Sequence, residues 1–179
     1  MDKEFAILSL FFEHPNREFH VRETAKLTKI SHRSASKYLS KLAKDGFLAV
    51  EKGKAKLINY KADTENGYFI EYKRFYNMLK LRRSGLIDFL NKVYSHPTII
   101  IFGSYSRAED TEKSDADIFI LSETKKEINL SNYENKINRK VQLFVMNDDE
   151  FEKAKKSSPN LINNIINGIK ISGILEVFR

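Results

Sequence analysis

The chain has 179 residues, 41% of them hydrophobic and 31% charged. That length holds one medium domain or two small ones, each with its own core, and the composition excludes a disordered chain. No apolar run reaches the roughly 20 residues a membrane span needs, and the absence of cysteine excludes disulfides and thiolate metal sites.

The elements are predicted in chain order. Phe5–Phe12 is too short for a span, is flanked by Asp2, Lys3, Glu4 and Glu13, and has no small-residue cleavage site after it. It reads as a first core helix rather than a leader. His14-Pro15-Asn16 stops it. Val21–Thr28 is a short helix, Ile30-Ser31 a turn, and a second helix runs to about Lys44, ended by Asp45-Gly46. Phe47–Glu51 and Lys56–Tyr60 follow as strands around the turn Lys52-Gly53-Lys54. Gly67 to Tyr94 is helical, with a break near Ser84-Gly85. Thr98–Phe102 is a continuous apolar run that suits a buried strand. Asp115–Leu121 and Lys140–Met146 are further strands, Asp148–Lys156 and Asn160–Asn167 helices, and Ile169–Ser172 a last short strand. The fold class is therefore two-domain, α+β in front and α/β behind.

The net charge is +7, and it is unevenly spread. Residues 1–65 carry 13 Lys/Arg against 9 Asp/Glu, residues 66–97 carry 6 against 2, and residues 98–179 carry 12 against 13. A basic excess confined to the front favours a polyanion partner there. The four histidines, His14, His20, His32 and His96, have no ligand spacing, so a structural zinc is not expected. A chain free of cysteine is compatible with the cytoplasm, where the protein is expected.

In the front half, two helices joined by about four residues can place the second in a major groove. On that second helix Ala35, Tyr38, Leu39 and Leu42 form an apolar face. The opposite face shows His32, Arg33, Ser34, Ser36, Lys37 and Lys41, side chains suited to phosphates and base edges. Lys52, Lys54 and Lys56 make the following hairpin basic, as backbone contacts require. Residues 1–63 resemble winged helix-turn-helix regulators. The resemblance implies DNA binding by His32, Arg33, Ser36, Lys37, Lys41, Lys52 and Lys54, with Arg33 and Lys37 the leading contacts. Many winged helices serve protein contact or dimerisation instead.

In the back half, the buried strand ends in Gly103-Ser104, followed by Tyr105-Ser106-Arg107 and then Ser114-Asp115-Ala116-Asp117. Glycine lets a ligand approach the backbone, and Ser104 at a helix start can hold a phosphate. Arg107 adds a charge-assisted contact. Asp115 and Asp117, two apart on a strand, point to one face and suit a divalent cation. This combination resembles the DNA polymerase β-like nucleotidyltransferase superfamily, most closely its minimal members, over residues 84–173. The resemblance implies transfer of NMP from an NTP with release of pyrophosphate. Gly103, Ser104 and Arg107 would bind the nucleotide, and Asp115 and Asp117 would hold Mg²⁺ (or Mn²⁺). Some minimal members nucleotidylate a small helical ribonuclease toxin, which makes such a partner a candidate acceptor.

Two positions depart from the pattern. The usual glycine after the arginine is Ala108, and the third carboxylate expected on the next strand falls at Gln142. An amide can coordinate a metal through oxygen, but it is uncharged and a poor base. Two functions stay open: a Mg²⁺-dependent nucleotidyltransferase, or a catalytically impaired DNA-binding regulator that uses this fold to sense nucleotide or bind a partner. The domains are expected at 1–65 (winged helix), 66–97 (helical connector) and 98–179 (nucleotidyltransferase fold, a small mixed sheet flanked by helices). Tyr68, Phe69, Tyr72, Phe75, Tyr76 and Leu79 form an aromatic stripe at helical spacing, read as core or homodimer packing.

Overall fold

The computed structural model describes residues 3–52 and 57–177. Their contacts divide them into two compact units, Met1–Tyr76 and Asn77–Arg179.

The first unit runs α1 (Lys3–Glu13), β1 (Phe19–His20), α2 (Val21–Thr28), α3 (His32–Lys44), β2 (Leu48–Lys52), β3 (Ile58–Ala62) and the first half of α4 (Gly67–Ser84). The apolar period of α1 buries Ile7, Leu8, Phe11 and Phe12. They meet Leu39 and Leu42 of α3, Phe19, Tyr60 and Phe69 in one core. Helix α3 starts where the Ser31 hydroxyl accepts from the Ser34 amide at 3.2 Å, an N-cap that satisfies an otherwise orphaned donor. The strands form an antiparallel sheet in the order β1-β3-β2. Strand β1 was not predicted, because two residues are too short for periodicity to register.

The second unit continues with α5 (Leu86–Val93), β4 (Thr98–Phe102), α6 (Gly103–Arg107), β5 (Ala116–Leu121), α7 (Ser131–Ile137), β6 (Val141–Met146), α8 (Asp148–Ser157), α9 (Pro159–Ile166) and β7 (Ile169–Ser172). Its sheet has the order β6-β5-β4-β7. Strand β4 is antiparallel to both neighbours, while β5 and β6 run parallel. A parallel pair needs a crossover, and α7 supplies it. This helix too was unpredicted: Ser131–Ile137 is a polar stretch that buries only Ile137.

Every residue of β4 is buried, as its unbroken apolar run requires of a strand covered on both faces. Ile99, Ile101, Ile118 and Ile120 pack with Leu81, Leu86, Ile87, Leu90 and Ile137. Ile100, Phe102 and Phe119 point the other way, onto Phe151, Ala154, Ile162 and Ile165.

The connector expected at 66–97 is not a body of its own. The α4 residues Phe69 and Tyr76 join the first core, whereas Leu81 and the α5 residues join the second. Gly85, with φ +82°, breaks the helix between α4 and α5. The aromatic stripe also divides: Phe69 is buried, but Tyr68, Tyr72 and Phe75 are exposed. Among the described residues no helix is long and apolar enough to cross a membrane.

Candidate nucleotide site

Sheet register assembles the site at one end of β4, β5 and β6. Phe102 is opposite Asp117, and Asp117 is opposite Gln142. Paired residues share a sheet face, so Asp117 and Gln142 stand side by side. They continue the face that carries Phe119 and Phe144 two residues further along each strand. Asp115 lies just ahead of β5 rather than inside it.

Strand β4 hands directly into α6 at Gly103, whose φ is +70°. A Cβ there would sit 2.2 Å from Oδ2 of Asp117 and 3.2 Å from its Cγ. Only glycine accommodates this turn, for two separate reasons: the left-handed backbone and the carboxylate lying over its Cα. The Gly103-Ser104 turn and the Asp117 carboxylate therefore meet at one place.

Burial pushes the Asp117 carboxyl above the usual carboxylate range, the Asp115 charge pushes it further, and Arg107 opposes both. Two carboxyls that repel each other in a partly dry pocket gain from a cation between them. Among the described residues no three His, Cys, Asp or Glu side chains converge on a metal position. Asp115 and Asp117 offer carboxylate oxygens, the ligand type that a hard divalent cation takes. Gln142 stands directly beside Asp117, at the position where a third acid was expected from the sequence.

Arg107 is exposed and donates from Nε to Glu109 Oε2 at 2.8 Å. Ala108 follows in the left-handed region at φ +62°, closing α6 with its amide on the Ser104 carbonyl. A left-handed position explains why glycine would suit it, and alanine there costs about 1 kcal/mol.

Beneath the site lies a buried polar network that the sequence did not disclose. Asp110 Oδ1 accepts from Asn77 Nδ2 at 2.8 Å, and Asp110 Oδ2 accepts from Arg139 Nη2 at 3.3 Å. Asn77 Nδ2 also donates to the Tyr105 carbonyl of α6 at 2.9 Å. The side chains of Arg139 and Asp110 are 2% and 0% exposed. Asp110 thus ties α4, α6 and the entry to β6 together. No pattern separates it from its exposed neighbour Glu109, so only coordinates could find it. At the same entry Glu134 accepts from the Val141 amide at 3.0 Å and from Lys140 Nζ at 3.1 Å. That backbone donor, then Lys140, holds its carboxyl below the usual range.

In the first unit, α3 buries Ala35, Leu39 and Leu42 and exposes His32, Arg33, Lys37 and Lys41. Ser36 is half-buried. Lys41 differs from the expectation of a ready DNA contact: its Nζ donates to both Glu4 carboxylate oxygens at 2.8 Å. Lys52 is exposed at the end of β2, whereas Lys54 and Lys56 lie outside the described residues.

Comparison with known families matches residues 85–173 to the family described as polymerase beta, nucleotidyltransferase. The match supports that superfamily for the second unit and a nucleotidyltransferase-like function at the family level. It starts inside the α4–α5 region and ends just after β7, so it includes Gly103, Ser104, Arg107, Asp115, Asp117 and Gln142. No curated protein matches the chain.

Proposed function

We propose that the second unit is a Mg²⁺-dependent nucleotidyltransferase-like module that binds an NTP and transfers its NMP to a protein or small-molecule acceptor. The first unit is a winged helix that binds DNA. The observation that supports the first statement is the close approach of the Asp117 carboxylate to Gly103, which brings the Gly103-Ser104 turn after β4 against the start of β5.

Gly103 and Ser104 hold the triphosphate, and Asp115 and Asp117 hold the cation. The cation, when bound, neutralises charge on the phosphates. Arg107 exchanges Glu109 for a phosphate oxygen. In the transfer, a bond forms from the acceptor oxygen to the α-phosphorus and the bond to pyrophosphate breaks. The acceptor's proton needs a base, and the Gln142 amide is a poor one. Transfer is therefore slow in this chain.

Gln142 favours a second reading, a DNA-binding regulator whose back half senses nucleotide without turning it over. Its register opposite Asp117 is the specific support for that reading. The reading of α3 as a recognition helix draws support from its exposed His32, Arg33 and Lys37.

The test is calorimetric titration of Mg²⁺–ATP, then GTP, CTP and UTP, into the native protein and Asp117→Asn. Binding to the native chain that Asp117→Asn abolishes supports the site, and silence with all four nucleotides sinks it. Labelled NTP with candidate acceptors, including small helical ribonucleases, then separates the two readings. A label transferred by the native chain favours the enzyme, and a label transferred only by Gln142→Asp favours the regulator.

A further inference from the structure

Strand β6 is an outer strand of the second unit's sheet, paired on one side only. The carbonyls of Lys140 and Met146 accept from the Ala116 and Ser122 amides at the two ends of β5. Backbone groups alternate in direction along a strand, so Gln142 and Phe144 also face β5, and Val141, Leu143 and Val145 face away from it. The outward Val141 amide meets Glu134 Oε1 at 3.0 Å. The outward amides and carbonyls of Leu143 and Val145 have no partner among the described residues.

The other sheet edges in this chain are protected. Strand β7, at the opposite edge, has four residues, an exposed Lys170 and a register shift against β4. In the first unit β1 has two residues, and β2 ends in exposed Glu51 and Lys52. Strand β6 has none of these devices. Its six residues, Val-Gln-Leu-Phe-Val-Met, carry no charge, proline or glycine, and they pair with β5 in unbroken register. A regular apolar edge of that length is a template for one more strand.

The two faces of β6 say what that strand carries. Gln142 is exposed, on the same face as Asp117. On the other face Val141 lines a cleft of about 560 Å³ together with Ile128, Leu130, Glu127 and Glu134. That lining suits a side chain with an apolar stem and a cationic end, a lysine or arginine. Glu134 already receives Lys140 Nζ at 3.1 Å, whereas Glu127 is exposed and has no ion-pair partner among the described residues. Side chains alternate along a strand, so a basic residue opposite Val141 puts its chain neighbour opposite Gln142. With strands about 4.8 Å apart, that neighbour lies about 10 Å from Asp117, across Gln142.

We propose that the free edge of β6 takes an extended polypeptide segment by strand addition, with a lysine or arginine of that segment in the cleft lined by Glu127 and Glu134. Resting on the nucleotidyltransferase reading, the docked segment is the acceptor, through a serine, threonine or tyrosine next to its basic residue. The hydroxyl oxygen bonds the α-phosphorus, the bond to pyrophosphate breaks, and the hydroxyl proton passes to water.

The experiment titrates the full chain with two fluorescent peptides, Thr-Thr-Lys-Ser-Val-Thr-Val-Thr and its reverse sequence, for parallel and antiparallel addition. Nuclear magnetic resonance follows amide exchange at Leu143 and Val145. At least one peptide is expected to bind and to slow exchange at both amides. Of its two forms N-methylated at alternate residues, one is expected to lose binding, because only one set of amides faces β6. Leu143→Pro removes an outward donor and no bond to β5, and is expected to abolish binding with an unchanged circular dichroism spectrum. Glu127→Lys, or glutamate for the peptide's lysine, is expected to weaken binding several-fold. The docking is overturned if neither peptide binds, or if binding leaves exchange at Leu143 and Val145 unchanged. Binding that survives both N-methylated forms overturns it as well, whether or not Leu143→Pro folds. Binding indifferent to Glu127→Lys overturns the assignment of the cleft. Docking with no label passed from NTP to the peptide overturns the acceptor role alone. Silence toward all four nucleotides in calorimetry, with the peptide still docking, is instead the failure of the nucleotide site.

Discussion

The two units hold their candidate functions in different ways. In the second unit the candidate site is made where separate strands converge: Gly103 follows the end of β4, Asp117 is the second residue of β5, and Gln142 sits beside it on β6. The Asp117 carboxylate covers the Gly103 Cα so closely that one methyl group has no room. In the first unit the candidate contacts are spread over one exposed helix face and the hairpin beside it. His32, Arg33 and Lys37 are each exposed on α3. A converging site fails at one residue, whereas a charged surface loses affinity in increments. The difference teaches that tolerance to substitution follows from geometry and not from the number of functional residues.

The sharpest break in that comparison is at the support of the converging site. Asp110→Ala leaves Arg139 buried without its carboxylate, and breaking a buried pair from one side costs about 3–5 kcal/mol. Urea unfolding should show that loss. Nucleotide binding should fall with it, because Asp110 and Asn77 together hold α6. An unchanged midpoint would mean that the network carries little of the fold.

Gly103→Ala comes next. The left-handed backbone alone costs on the order of 1–3 kcal/mol in a residue with a Cβ. The 2.2 Å approach to Asp117 adds to it, and pushes the carboxylate out of its place beside the turn. Mg²⁺–ATP binding is expected to vanish in calorimetry while the far-ultraviolet spectrum keeps its native shape. Native-strength nucleotide binding in this variant would remove the close approach as a requirement of the site.

The smallest effect belongs to the distributed surface. Arg33→Ala and Lys37→Ala should each weaken DNA binding modestly, and the double variant should lower the slope of log affinity against log salt by about 2. Fluorescence anisotropy with duplex DNA at several salt concentrations measures both quantities. Affinity and slope that do not change would show that α3 is not the DNA-contacting face. A collapse from either single change would show that this surface converges after all.

Much of the fold was legible in the sequence. The apolar run Thr98–Phe102 and the pattern of Val21–Thr28 carry their element boundaries without help, because burial on both faces of a strand and on one side of a helix writes itself into residue order. Gly103-Ser104 with Asp115 and Asp117 was readable as well, since glycine and paired acids are chemically distinctive. The register that puts Gln142 beside Asp117 was an expectation from strand alignment, and the parallel pairing of β5 with β6 is what sets it.

Other features were silent in residue order. The two residues of β1 and the polar helix α7 have no periodic signature of their own and are fixed by what they pair with or pack against. The division of α4 between two cores could not be read, because an aromatic stripe looks the same whether it is buried or exposed. Composition and pattern thus determined a basic front, a near-neutral back and the main elements of each. Tertiary structure alone decided which charges are used up and which stand exposed. Lys41 is spent on Glu4, Asp110 is sealed with Arg139, and Tyr68, Tyr72 and Phe75 are left facing outward. The physical reason is that solvation and pairing depend on neighbours brought together across the chain, and residue order does not record them.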